Sequence, residues 1–202
     1  MTAEAVIQEM TSSSLPDWVF PPPGGFTAED LDHIPDLPAH TELIDGSLVF
    51  VSPQASFHTK ILDVLVPALR QSAPENLRVR REMSVILAED QRPEPDLIVV
   101  NAEAVRDDDS ETFYEAKDVV LAVEVVSPES TTRDRHRKPV LYAEAGIPHF
   151  WRVEKDSGKP VAYVYTLDPA TRSYALTGAH YESLKLTVPF DIAIDLTEIS
   201  KF

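Results

Sequence analysis

Residues 119–126 read VVLAVEVV, an apolar run broken once, by Glu124. Continuous apolar runs of this length belong to strands buried on both faces. PDLIVV at 95–100 has the same character, whereas LRVRRE (77–82) and SVILA (84–88) are short and partly alternating. HFWRVE (149–154), KPVAYVYTL (159–167), RSYALTG (172–178) and FDIAI (190–194) complete the strands. Helical spacing occurs twice. In SFHTKILDVLVPALR, apolar residues at 61, 62, 65, 66 and 69 form one stripe, and Pro67 predicts a kink or break in its last turns. PVLYAEAG is framed by Pro139 at a first helical position and Gly146 at its end. Two short apolar runs around Asp45-Gly46 predict a hairpin, and Thr27 with Asp30 caps a short helix, TAEDLDHI. This order of elements predicts an α/β or α+β fold, a mixed central sheet flanked by helices with an N-terminal hairpin and helix. That single domain spans 27–202. A polar, then proline- and glycine-rich flexible arm precedes it over 1–26.

Composition adds little to the fold and more to the partners. A chain of 202 residues with 43% hydrophobic and 26% charged residues suits one soluble domain. It has no cysteine, which excludes disulfides and thiolate metal sites. The start, MTAEAVIQEM, lacks a signal-peptide core, and no apolar run is long enough to span a membrane, so a cytoplasmic protein is expected. With 34 acidic against 18 basic residues, the net charge is −16. Such a chain repels phosphate backbones unless basic groups gather on one face or metal ions intervene.

Glu124 therefore needs explaining. Alternate strand residues share a face, so Ala122, Glu124 and Val126 point one way and Leu121, Val123 and Val125 the other. An unpaired carboxylate buried there costs several kcal/mol, so Glu124 must meet an arginine, a metal or water. Asp96, between Pro95 and LIVV, is by itself a turn residue at a strand head. Taken together, the two acids on neighbouring buried strands can converge as a hard oxygen site for magnesium or manganese.

ELIDG (42–46), SPQASFH (52–58), PEPD (93–96), VEVVSPEST (123–131), Asp134, Lys138, Tyr142 and AGIPHFW (145–151) follow one another in an order that resembles the Uma-two (Uma2) family of restriction-endonuclease-like proteins, in the PD-(D/E)XK nuclease superfamily. The resemblance covers roughly residues 27–196. It implies a metal-dependent nuclease acting on phosphodiester bonds of DNA, with Mg2+ or Mn2+ held by Asp96 and Glu124 and assisted by Glu42. The superfamily lysine normally stands two residues after the second acid, where this chain has Val126. The resemblance supplies Lys138 as a migrated substitute from the following helix. Homodimers are usual for two-strand cutters of this fold. The competing reading is a catalytically inactive module that uses the nuclease fold to bind a protein or nucleic acid, which the broken signature and the net charge favour.

Other residues carry weaker signals. His58 opens the apolar stripe, where capping or packing outweighs metal or base work. Tyr142 lies one helical turn beyond Lys138 and reads as packing, and Asp134 as a local salt bridge or cap. Arg133, Arg135, Arg137 and Lys138 form the densest basic run, and Arg80 belongs to a second with Arg78 and Arg81. If both runs border one cleft, Arg133, Arg135, Arg137 and Arg80 are the candidate phosphate contacts.

Overall fold

The computed structural model describes residues 16–106 and 110–202, so the first fifteen residues of the expected arm lie outside the described residues. The chain runs β1 (Glu42–Ile44), β2 (Ser47–Val49), α1 (Ser56–Ser72), β3 (Leu77–Arg81), β4 (Ser84–Ile86), β5 (Leu97–Asn101), β6 (Phe113–Glu115) and β7 (Val119–Val125). A π-helical turn at Arg133–Arg137 leads into α2 (Lys138–Glu144). Then come β8 (His149–Asp156), β9 (Lys159–Asp168), β10 (Ser173–His180), β11 (Ser183–Leu186) and β12 (Ile192–Asp195).

Six strands form the central sheet in the order β10-β9-β8-β7-β5-β3. All neighbours are antiparallel except β7 and β8, which pair in parallel through the crossover that contains the π turn and α2. The alternation expected for β7 holds. Leu121, Val123 and Val125 pack with Ile61, Leu62, Leu65 and Leu69 of α1. On the opposite face, Ala122 packs with Ile98, Tyr142 and Phe150. The sheet thus buries an apolar cluster on each side.

The hairpin forms as a tight turn in which Asp45 (φ 52°) and Gly46 (φ 68°) both adopt left-handed conformations, the geometry that Asp-Gly favours. Phe26, buried, donates its N–H to the Gly46 carbonyl at 2.8 Å. Gly25 is needed for that close approach, since a Cβ there would stand 2.8 Å from the same oxygen.

Some expectations change. α1 runs unbroken through Pro67 to Ser72. Asp63, whose carbonyl loses its helical partner to the proline, is exposed like Pro67 itself, so water can satisfy it. Thr27 and Asp30 do bond reciprocally, but they cap only a single 3-10 turn, Asp30–Asp32. SVILA shortens to β4, which pairs in parallel with β6 outside the main sheet. The short run SLKL forms β11, which pairs with β12 in a separate two-stranded sheet whose Leu184, Ile192 and Ile194 join the core around α1.

Candidate active site

Antiparallel pairing of β5 with β7 sets Leu97 opposite Val123, so Asp96 at the head of β5 falls beside the end of β7. There its Oδ2 accepts the Val125 N–H at 2.6 Å. Glu124, one residue earlier, is on the face covered by the crossover. The π turn and the start of α2 bring Asp134 and Lys138 onto it. The Lys138 ammonium lies 3.0 Å from each Glu124 oxygen, 2.7 Å from Glu42 Oε1 and 3.6 Å from Asp134 Oδ1. The Tyr142 hydroxyl donates to Glu124 Oε1 at 2.5 Å, and the Glu94 N–H to Glu42 Oε1 at 2.9 Å. Glu42, Glu124, Asp134 and Lys138 are each at most 3% exposed.

Lys138 is therefore a buried hub and Glu124 has its cation. Tyr142 both packs against Phe150 and holds Glu124. Asp134 does sit one turn from Lys138 as an ion-pair partner. His58 is buried in the first turn of α1, as expected of a packing residue, and in addition sets Nε2 2.6 Å from Asp96 Oδ1. Nothing local announced that pairing, because it joins the first turn of α1 to β5 across 38 positions.

Charge is unbalanced at this centre. Burial pushes the Glu124 carboxyl well above its ordinary range; Lys138 opposes this, while Asp134, Asp96 and Glu42 add to it. Burial also raises Asp134, again against Lys138. For Lys138 burial works downward, but Glu124, Glu42, Asp134 and Asp96 outweigh it and hold the ammonium charged well above its usual range. Burial and the neighbouring Glu124 raise the Tyr142 hydroxyl, keeping it a donor.

The centre forms one wall of a cleft of about 420 Å³, where Glu42, Asp96, Glu124, Asp134 and Lys138 meet His40, Phe50, Glu82, Glu94 and Arg133. His40 Nδ1 lies 2.5 Å from Glu94 Oε1. The basic residues separate. Arg133 lines the cleft, 3.4 Å from Glu42 Oε2. Arg135 pairs with Glu154, and Arg137 with Asp45 on the hairpin. Arg80 donates to the Tyr114 hydroxyl and lines a different pocket with Arg70 and Arg78. The two basic runs do not border one cleft.

Among the described residues, no three histidine, aspartate or glutamate side chains are arranged as they stand to hold a metal ion. Their oxygens are engaged by Lys138, Tyr142, His58 and the Val125 N–H. The donor set nevertheless fits a hard divalent cation, being all carboxylate. Glu42 Oε2 and Asp134 Oδ1 are buried and accept no hydrogen bond; each faces a side-chain cation, Arg133 at 3.4 Å and Lys138 at 3.6 Å, and keeps acceptor capacity toward a metal ion.

The fold is that of a nuclease-like α+β protein. The crystal structure of a "putative nuclease belonging to DUF820" from Anabaena variabilis superposes with a TM-score of 0.57 at 16% identity, covering 88% of this chain and 93% of that one. At that identity the likeness speaks for the fold. The family is set by sequence: residues 28–197 match the Uma2 family model, described as "Putative restriction endonuclease", and the chain belongs to that family. A search of curated proteins finds no match.

Proposed function

We propose that this chain is a metal-dependent nuclease that hydrolyses phosphodiester bonds of DNA, with its active-site lysine supplied by α2. The observation that supports it most is the Lys138 ammonium, held from another element within 3.0 Å of both Glu124 oxygens, two residues before the place where Val126 interrupts the strand signature. A long stem lets an ammonium act from a different element. Asp96 and Glu124 would hold Mg2+ or Mn2+, with Glu42 beside them. Such an ion, when bound, supplies an activated water and offsets phosphate charge. His58 orients Asp96 through its 2.6 Å contact, and Tyr142 fixes Glu124. Lys138 remains protonated and stabilises charge that develops on the phosphate.

One observation favours a second reading, a binding module without catalysis: every carboxylate of the centre already has a protein partner, and no three are gathered for a metal. Cleavage assays on single- and double-stranded DNA with magnesium, manganese or a chelator separate the two. The nuclease reading expects metal-dependent cleavage that Asp96→Asn removes while the fold survives. A wild-type protein inert on every nucleic acid with either metal makes the module the better account.

A further inference from the structure

Phe50, directly after β2, is 50% exposed and lines the cleft beside the carboxylate centre. A large aromatic ring left open to water on a hydrogen-bonded hairpin needs a reason, since half its apolar surface goes unburied. Trp18 packs against it, with the ring centroids 5.7 Å apart and the planes tilted at 56°.

Electrostatics argue in the same direction. Seven carboxylates line this cleft against Lys138, Arg133 and His40. With so few cations, contacts to phosphates cannot supply most of the affinity for a nucleic acid. Base–aromatic stacking can, because every base has an apolar face whatever its sequence. A duplex hides those faces in its own stack; a single strand offers them.

We propose that Phe50 is a stacking platform for one unpaired nucleobase, so that the cleft takes single-stranded nucleic acid in preference to duplex. This deepens the nuclease reading by naming the substrate form and rests on it. The test is fluorescence anisotropy of a short labelled oligothymidine, alone or annealed to oligodeoxyadenosine. Calcium replaces magnesium, and the proteins are wild type, Phe50→Ala and Phe50→Trp. The strand is expected to bind roughly 10-fold tighter than the duplex or better, with Phe50→Ala removing that advantage and Phe50→Trp keeping it. Because the ring is half exposed, truncation leaves the core intact.

Equal affinity for strand and duplex, or a Phe50→Ala protein that binds the strand like wild type, overturns the proposal. So does a Phe50→Ala effect seen only on self-association in sedimentation, which would make a second copy the occupant. A wild type that binds the strand through Phe50 yet cleaves nothing with magnesium or manganese refutes the nuclease reading and leaves the platform standing.

Discussion

Leu121, Val123 and Val125 on one face of β7 join the apolar core built with α1, while Glu124 on the other face meets a lysine, a tyrosine and other acids. Both faces are buried to the same degree. Their energetics differ in kind. On the apolar face each contact is local and replaceable by something of similar volume. On the polar face each group is tolerable only because of the others: Lys138 without Glu124 and Glu42, or those acids without Lys138, would be an uncompensated buried charge. One strand thus carries stability on one side and candidate chemistry on the other. Substitutions at neighbouring positions should separate the two.

The largest separation is expected at Lys138. Lys138→Met should lower metal-dependent DNA cleavage about 100- to 1,000-fold, the loss usual for a positioned stabiliser of transition-state charge. Adding Val126→Lys, directly after β7 and two residues on from Glu124, should restore part of the rate. Full recovery is not expected, because a lysine at that partly buried position loses room and part of its charge. Wild-type cleavage by Lys138→Met would remove the lysine from the chemistry altogether.

On the other face, Leu121→Ala should destabilise the protein by about 2–5 kcal/mol in denaturant unfolding, since it opens a cavity in the main core. The fraction that stays folded should cleave as wild type does. A rate loss beyond the folded fraction would mean that the two faces are not separable.

This division was legible in VVLAVEVV because the strand period is two, and so was the hairpin, because Asp-Gly fixes its own turn. What failed to show were contacts between distant segments. His58 looked like the first residue of a core stripe; only the docking of α1 against β5 gives it Asp96. The basic run at 133–138 looked like one positive patch, but sequence density does not say which carboxylates the arginines will face, and Arg135 and Arg137 turn to Glu154 and Asp45. The π turn that aims Asp134 and Lys138 inward has no propensity signature of its own. Pro67 reads as a breaker because local rules ignore that an exposed carbonyl can bond to water.

A smaller effect of opposite sign is expected at Glu124. Burial and the surrounding acids disfavour its charge, and Lys138 retains Glu42 at 2.7 Å if that charge goes. Glu124→Gln should therefore raise the metal-free melting temperature by a few degrees, roughly 2–4 °C per kcal/mol for a chain of this size. It should also abolish any further rise on adding manganese. Calorimetry decides it: a metal-free melt lowered by several degrees would mean that attraction to Lys138 dominates and that the centre is an ordinary structural ion pair.

The smallest effect is expected where an ion pair lies in water. Arg137 and Asp45 join the crossover to the hairpin, with 40% and 52% of their side chains exposed. Solvent screens such a pair, so Arg137→Ala should cost no more than about 1 kcal/mol at neutral pH, and less in high salt. The pH dependence has a definite sign. Arg137 hydrogen bonding holds the Asp45 carboxyl below its ordinary 3.8. A depressed folded-state pKa adds stability that is present above the unfolded value and is lost as pH falls through the folded one. The difference between wild type and Arg137→Ala in urea unfolding should thus be constant near neutrality and shrink as the pH falls below 3.8. A cost of several kcal/mol at neutral pH would contradict this and place the pair beside Lys138 in kind: the hairpin would then help to hold the crossover, and with it the ammonium, over Glu124.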